Sequence, residues 1–147
     1  MDPKAPLAHC DECPLWNRPL VAGDGPPKTD LVIVGWAPGK TEVEVGKPFV
    51  GDSGGVLNEA LDDAGIDQES AYITNAVLCH PVKPKPPVPA IRACHDRLVQ
   101  EIERRGPRKV IASGKSRSGP SLTRREVSWT CDLITHIDLP SWTPTSR

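Results

Sequence analysis

Three short β-branched runs, separated by two amphipathic stretches, set the pattern of the chain. Asp30 to Val34 holds the continuous apolar run Leu31-Val32-Ile33-Val34, Ala71 to Val77 reads Ala-Tyr-Ile-Thr-Asn-Ala-Val, and Arg108 to Ala112 is a third run of the same kind. Runs this short and this rich in β-branched residues read as buried strands. Between the first two, Val56, Leu57, Ala60, Leu61 and Ala64 recur at helical spacing, with Asp52 or Ser53 available as N-cap and Gly65 where a C′ glycine belongs. Between the second and third, Ile91, Cys94, Leu98 and Ile102 fall on one helical stripe that Gly106-Pro107 ends. Strand, helix, strand, helix, strand predicts an α/β fold, a three-layer α/β/α arrangement around a central parallel sheet.

The first strand runs into a long loop, Gly35-Trp36-Ala37-Pro38-Gly39 continuing to Gly46-Lys47-Pro48-Phe49-Val50-Gly51. In an open α/β sheet, ligands bind in the crevice at the carboxyl ends of the strands, where this loop falls. Glycines there let backbone approach a ligand closely. Two readings of Phe49 stand side by side: a plug for the core, or a flat face offered to a ring. Gly54 and Gly55 weaken the first turn of the following helix, a sacrifice that close backbone approach to an anion would explain. Asn75 comes near the end of the second strand, at the same edge as the loop; an asparagine satisfying its own turn is the plainer reading. Residues 80–89, with five prolines and two lysines, read as a stiff, basic, irregular loop.

The 147 residues suggest one domain, and a net charge of −1 supplies no global basic field, so a nucleic-acid partner would need a local patch. Lys83, Lys85 and Arg92 form such a patch, or else a solvated loop. No apolar run is long enough to cross a membrane, and the expected setting is cytoplasmic. Beyond Gly114 the periodic pattern fails: residues 115–147 are rich in Ser, Thr, Arg and Pro, with only Cys131 to Ile137 as a short strand. The expected division is therefore an α/β domain over 1–114 and an atypical tail over 115–147, leaving the sheet incomplete on its C-terminal side.

Five cysteines, an odd count, argue against a disulfide framework. Cys10-x-x-Cys13 lies in a loop; free or redox thiols and a metal site are both open to it. Cys79 follows the second strand and Cys94 lies in the next helix, so a parallel sheet can bring these four thiols to one edge. Four thiolates suit zinc or an iron–sulfur cluster, although C-x2-C with C-x14-C is not a zinc-ribbon pattern. Cys131 has no partner. His9, His80 and His95 flank cysteines and are rival ligands or polar residues at the rim.

Taken together, Gly35-x-Ala37-Pro38-Gly39, Glu42, Gly46-Lys47-Pro48-Phe49-Val50-Gly51, Tyr72-Ile73-Thr74-Asn75 and the cysteines Cys10, Cys13, Cys79 and Cys94 resemble a family 4, iron–sulfur, uracil-DNA glycosylase over roughly residues 7–114. The resemblance implies that the four cysteines hold a structural [4Fe–4S] cluster and that Phe49 stacks on a flipped-out uracil. It implies that Asn75 bonds the uracil amide edge, that Gly35, Trp36, Ala37, Pro38 and Gly39 line the pocket, and that Glu42 lies beside the sugar and attacking water. The implied partner is uracil-containing DNA, the implied process base excision repair, and the implied state a monomer.

Three departures modify that expectation. Trp36 stands where the family has an acidic residue, and packing into the core is its plain reading. Lys83-Pro84-Lys85-Pro86 replaces a polar residue followed by arginine. The family's His-Pro-Ser type motif, whose histidine donates to uracil O2, is absent: His136 is followed by Ile137-Asp138-Leu139-Pro140-Ser141. The expectation is thus a glycosylase pocket with impaired excision, and the alternative is a non-catalytic iron–sulfur fragment that binds uracil or DNA.

Overall fold

A computed structural model describes residues 3–83 and 85–112. In it, β1 (Leu31–Gly35), β2 (Tyr72–Asn75) and β3 (Lys109–Ala112) form a parallel sheet in the order β2-β1-β3. The register pairs Val32 with Tyr72 and Gly35 with Asn75 on one side of β1, and Val32 with Val110 on the other. All five residues of the central strand are buried. The expected tail, its strand at Cys131–Ile137 and its histidine His136 lie outside the described residues.

Alternation along the strands divides the core in two, because successive side chains leave opposite faces. Val32, Val34, Tyr72 and Val110 pack with Leu98 and Ile102 of α3 (Val88–Arg105). Leu31, Ile33, Ala71 and Ile73 pack with Leu57 and Leu61 of α2 (Asp52–Asp63). The two helices therefore lie on opposite faces, which completes the α/β/α layering. Topology explains it: the chain moves from β1 to β2 in one direction, then back past β1 to β3, and right-handed crossovers in opposite directions cover opposite faces. The loops leaving β1 and β2 therefore diverge at the carboxyl edge beside Gly35 and Asn75, where an open α/β sheet has its binding crevice.

Some details correct the expectations. The N-cap of α2 is Gly51, not Asp52 or Ser53, though Gly65 does take the left-handed C′ position, at φ 71°. Val56 is 61 % exposed and Ala60 and Ala64 are exposed, so the buried stripe of α2 is narrower than its apolar pattern. Its phase is set by Gly54, which sits against the chain at Phe49. A six-residue helix, α1 (Lys40–Val45), occupies part of the loop. The stretch expected to be irregular through residue 89 already contains the first turn of α3: Pro87 is the N-cap and Pro89 lies in the first turn. Proline fits there because the first-turn N–H groups have no intrahelical acceptor.

The N-terminal segment covers the outer edge of β2. Val21 N–H donates to Leu78 O at 2.9 Å, and Asp24 and Ile73 exchange two backbone bonds of 2.8 Å. An edge that would otherwise be open is thereby paired.

Candidate functional site

Two centres flank the five residues from Asn75 to Cys79. The first lies at the carboxyl ends of β1 and β2. The ladder continues past them, with Ala76 N–H donating to Gly35 O at 2.8 Å and Val77 N–H to Trp36 O at 3.0 Å. Further along, His80 Nδ1 lies 2.8 Å from Pro38 O, and a carbonyl only accepts, so Nδ1 carries the proton. Loop 35–39 is thus fastened at three points to the segment after β2.

Onto this floor converge a ring and an amide. A Cβ placed on Gly35 would lie 2.5 Å from Asn75 Oδ1 and 2.6 Å from Phe49 Cζ, so the bare face of the glycine is where the two side chains meet. Asn75 is 3 % exposed. Among the described residues, its backbone carbonyl is hydrogen-bonded while nothing engages its amide end. Phe49 is partly buried against the Leu31–Ile33 cluster, so its ring is both a core contact and a wall of the crevice. Its backbone is left-handed, at φ 53°, a conformation that costs a non-glycine residue about 1 kcal/mol. Gly54 accommodates it: a Cβ there would fall 1.9 Å from the Phe49 carbonyl oxygen. The close approach expected of this glycine is therefore to the chain's own backbone.

Glu42, in the first turn of α1, is partly buried with its carboxylate beside the two glycines that bracket the loop. Added Cβ atoms at Gly39 and Gly51 would lie 2.9 Å and 3.3 Å from its oxygens. Ala37 packs away from the ring, against the cluster containing Cys13 and Val77. Trp36 is not a core residue, correcting that expectation: it is partly exposed, with Lys85 Nζ 5.6 Å from its ring centroid, a cation–π contact. Lys83, Lys85 and Arg92 are all exposed.

The second centre is a cavity lined by Cys10, Cys13, Cys79 and Cys94, all buried and none in a disulfide. They come from three places: a 3-10 turn (Cys10–Glu12) with its following residue, the segment after β2, and α3. His9 N–H donates to Ala93 O at 2.9 Å and holds the turn against α3. Donors point at the sulfurs: Lys4 N–H to Cys10 Sγ at 3.3 Å, Leu15 N–H to Cys13 Sγ at 3.4 Å, and Lys4 Nζ to Cys79 Sγ at 3.9 Å. Burial pushes the Cys13 and Cys79 thiols up, the cost of an uncompensated buried thiolate. A bound cation reverses that balance, because metals take the thiolate. Among the described residues no three His, Cys, Asp or Glu are grouped so as to hold one ion. The four thiols nonetheless line one cavity, the donor set that a thiolate-ligated centre needs. Of the rival histidines, His9 Nε2 bonds Asp96 at 2.9 Å and His80 holds Pro38, while His95 has Nδ1 3.6 Å from Asp96 and a buried Nε2 with no partner among the described residues.

Sequence reasoning missed a third group, behind Asn75. Arg97 is 1 % exposed and donates to Asn75 O at 2.8 Å, Ala76 O at 2.9 Å and Thr74 Oγ1 at 3.3 Å. It pairs with Glu101 at 3.0 Å, which also accepts from Thr74 at 3.0 Å and Tyr72 at 3.2 Å. The available signal was a charge inside the buried stripe of α3, between Cys94 and Leu98, with its partner four residues on.

Fold and site together define an α/β protein with a ring-and-amide crevice at the sheet's carboxyl edge and a four-thiol cavity beside it. The family model of the Uracil DNA glycosylase superfamily matches residues 22–141, and the chain belongs to that superfamily. It is 40 % identical over 111 residues to a type-4 uracil-DNA glycosylase of Pyrobaculum aerophilum, covering 74 % of this chain and 57 % of that protein. A type-4 uracil-DNA glycosylase of Thermotoga maritima matches equally, at 40 % over 111 residues, 74 % of this chain and 58 % of its own. A type-5 uracil-DNA glycosylase of Thermus thermophilus is 37 % identical over 95 residues, 55 % of this chain and 43 % of its own. The chain thus spans a little over half the length of the type-4 relatives. Among the described residues no helix is long and apolar enough to cross a membrane.

Proposed function

We propose that the chain is a DNA-repair glycosylase of the iron–sulfur kind, hydrolysing the N-glycosidic bond between uracil and deoxyribose in DNA. The observation that carries this reading is the meeting of the Phe49 ring and the free Asn75 amide over the bare face of Gly35. An enzyme acting on a base takes it out of the stack, and an aromatic face supports the flipped base with about 1–3 kcal/mol of stacking. The Asn75 amide supplies identity: it accepts from uracil N3–H and donates to O4, whereas cytosine presents the opposite pattern on that edge. As the C1′–N1 bond breaks, its electron pair leaves on uracil, cationic character builds on the sugar, and water adds at C1′. Glu42, whose carboxylate lies beside Gly39 and Gly51, is assigned the role of stabilising that cation. Lys83, Lys85 and Arg92 offer charge to the phosphates.

Cys10, Cys13, Cys79 and Cys94 suit a [4Fe–4S] cluster, which when bound would supply cross-linking of the N-terminal turn, the segment after β2 and α3 rather than chemistry at the base. Trp36, which stands in the first loop where the resemblance expects an acidic residue, favours a second reading, binding of uracil-containing DNA without cleavage. One experiment separates them. Anaerobically purified protein of verified iron content is incubated with a single-stranded oligonucleotide carrying one uracil, and abasic product is scored by alkaline breakage. Breakage that falls about 100-fold in Asn75→Ala supports the enzyme. Retention of the intact oligonucleotide supports the binder, and neither binding nor breakage by iron-loaded protein overturns both.

A further inference from the structure

We infer that Arg97 is a positioning residue that ties the aim of the Asn75 amide to the four-thiol site; the inference rests on the reading of Asn75 given above. Asn75 and Cys79 are the two ends of one five-residue strap. Beyond Asn75 the N–H groups of Ala76 and Val77 still bond to Gly35 and Trp36, while the carbonyls of Asn75 and Ala76 turn to α3. Arg97 answers both with a single nitrogen, Nη2, at 2.8 and 2.9 Å, while Nη1 reaches Thr74 and Glu101. It sits one helical turn after Cys94, so two of the four cysteines bracket the clamp: Cys79 along the strap and Cys94 along the helix. Fixing the thiols fixes α3 against the strap, and the fork then sets the backbone from which the Asn75 amide projects.

Stability alone does not explain this arrangement. Replacing a buried ion pair with apolar residues of similar volume is often neutral or stabilising. A guanidinium gives what an apolar pair does not, one rigid plane that holds both carbonyls on Nη2 and Thr74 with Glu101 on Nη1, and the single nitrogen of lysine cannot reproduce it. Glu101 keeps the buried charge paired, and its bonds from Thr74 and Tyr72 extend the lock along the α3 face of β2.

The test uses iron-loaded full chain in three forms: wild type, Arg97→Lys, and Arg97→Met with Glu101→Gln, which removes both charges and leaves no unpaired ion if the lysine variant fails to fold. The first readout is the kcat–KM split on uracil-containing oligonucleotide. A displaced amide lowers kcat about 100-fold while phosphate contacts keep KM within about threefold. The second is the Asn75 side-chain amide pair in the nitrogen-15 spectrum, assigned by Asn75→Asp; it shifts or broadens in both variants at unchanged iron content. A third needs no variant: in wild type the Arg97 guanidinium protons exchange slowly and report hindered rotation. An unmoved Asn75 amide in a folded variant, or a freely rotating Arg97 in wild type, overturns the inference. If wild type leaves uracil in place, the glycosylase reading fails by itself, and the two spectroscopic readouts still decide on Arg97.

Discussion

The crevice, which Asn75 enters, and the cavity, which Cys79 lines, share one five-residue strap, yet they are built by different means. The crevice is made of backbone: a missing side chain at Gly35, a left-handed phenylalanine, and a glycine at position 54 that lets the Phe49 carbonyl rest on α2. Gly35 and Gly54 leave no room for a Cβ, so a single methyl disturbs it. The cavity is made of side chains brought from three distant parts of the chain. If it holds the proposed cluster, it depends on closure of those three parts, with all four thiols needed at once. One centre is local and strained; the other is non-local and assembled.

The largest break expected is Cys79→Ser. With one corner gone, the iron chromophore of anaerobically purified protein is lost and stability falls by several kcal/mol, about half of what a structural metal contributes in small metal-folded domains. Hydrogen exchange then shows protection lost both in residues 8–16 and along Asn75–Cys79. Protection lost in the first segment alone would mean that the crevice does not lean on the cavity.

Gly54→Ala comes next and strikes the crevice. The new Cβ meets backbone, 1.9 Å from the Phe49 oxygen and 2.3 Å from its carbonyl carbon, so either α2 or the left-handed residue must move. A loss of about 3 kcal/mol is expected, against the roughly 1 kcal/mol of helix propensity that alanine brings. Gly55→Ala, exposed with nothing within 4 Å of its Cβ, is the matched control and should stabilise by about 0.5–1 kcal/mol. Urea midpoints of the two variants on either side of wild type would bear this out; equal midpoints would refute it.

Gly35→Ala separates stability from function. Here the added methyl meets the ends of two side chains, Asn75 Oδ1 and Phe49 Cζ, which can give way. The stability cost is therefore about 1 kcal/mol, while displacement of the recognition pair lowers uracil excision about 100-fold with iron content unchanged. A Gly35→Ala protein with wild-type kcat would remove the crevice from the mechanism.

How much of this was legible in the sequence follows the same division. The three strands were readable to within a residue or two, except that β2 ends at Asn75 rather than Val77, where the ladder passes into strap. Phe49 and Asn75 stood out because motif order placed both at the carboxyl edge, but their meeting over Gly35 is a fact of packing. The four cysteines were legible as a set; the Lys4 and Leu15 donors that face them were not, since nothing local marks them. Helix α1 escaped notice because six residues reading Lys-Thr-Glu-Val-Glu-Val, without a side-chain cap, carry no full period. The start of α3 was hidden by prolines that its first turn tolerates. Arg97 was missed because a buried charge is recognised by its acceptors, and those lie on another element twenty residues away.

Ionisation of Tyr72 tests the support that both centres share on the α3 face of β2. Tyr72 is the chain's only tyrosine, so its ionisation can be followed directly by tyrosinate absorbance. Burial, and then the charge of Glu101, push its pKa up from 10 to about 12, partly opposed by Arg105, whose guanidinium carbon lies 3.4 Å from the ring centroid. A raised acid favours the protonated form in the fold, so this contribution is fully present below pH 10 and is lost as pH rises towards 12. Two pH units correspond to about 3 kcal/mol. The absorbance midpoint should fall near 12, and the decline of the urea midpoint between pH 10 and 12 should be shallower in Tyr72→Phe. Ionisation would place a phenolate beside Glu101 and set two anions against the network that Arg97 completes. Loosening of the Asn75 amide over the same pH range would then join the back of the sheet to the crevice, whereas a tyrosinate midpoint near 10 would show that Tyr72 and Glu101 are not closed against solvent.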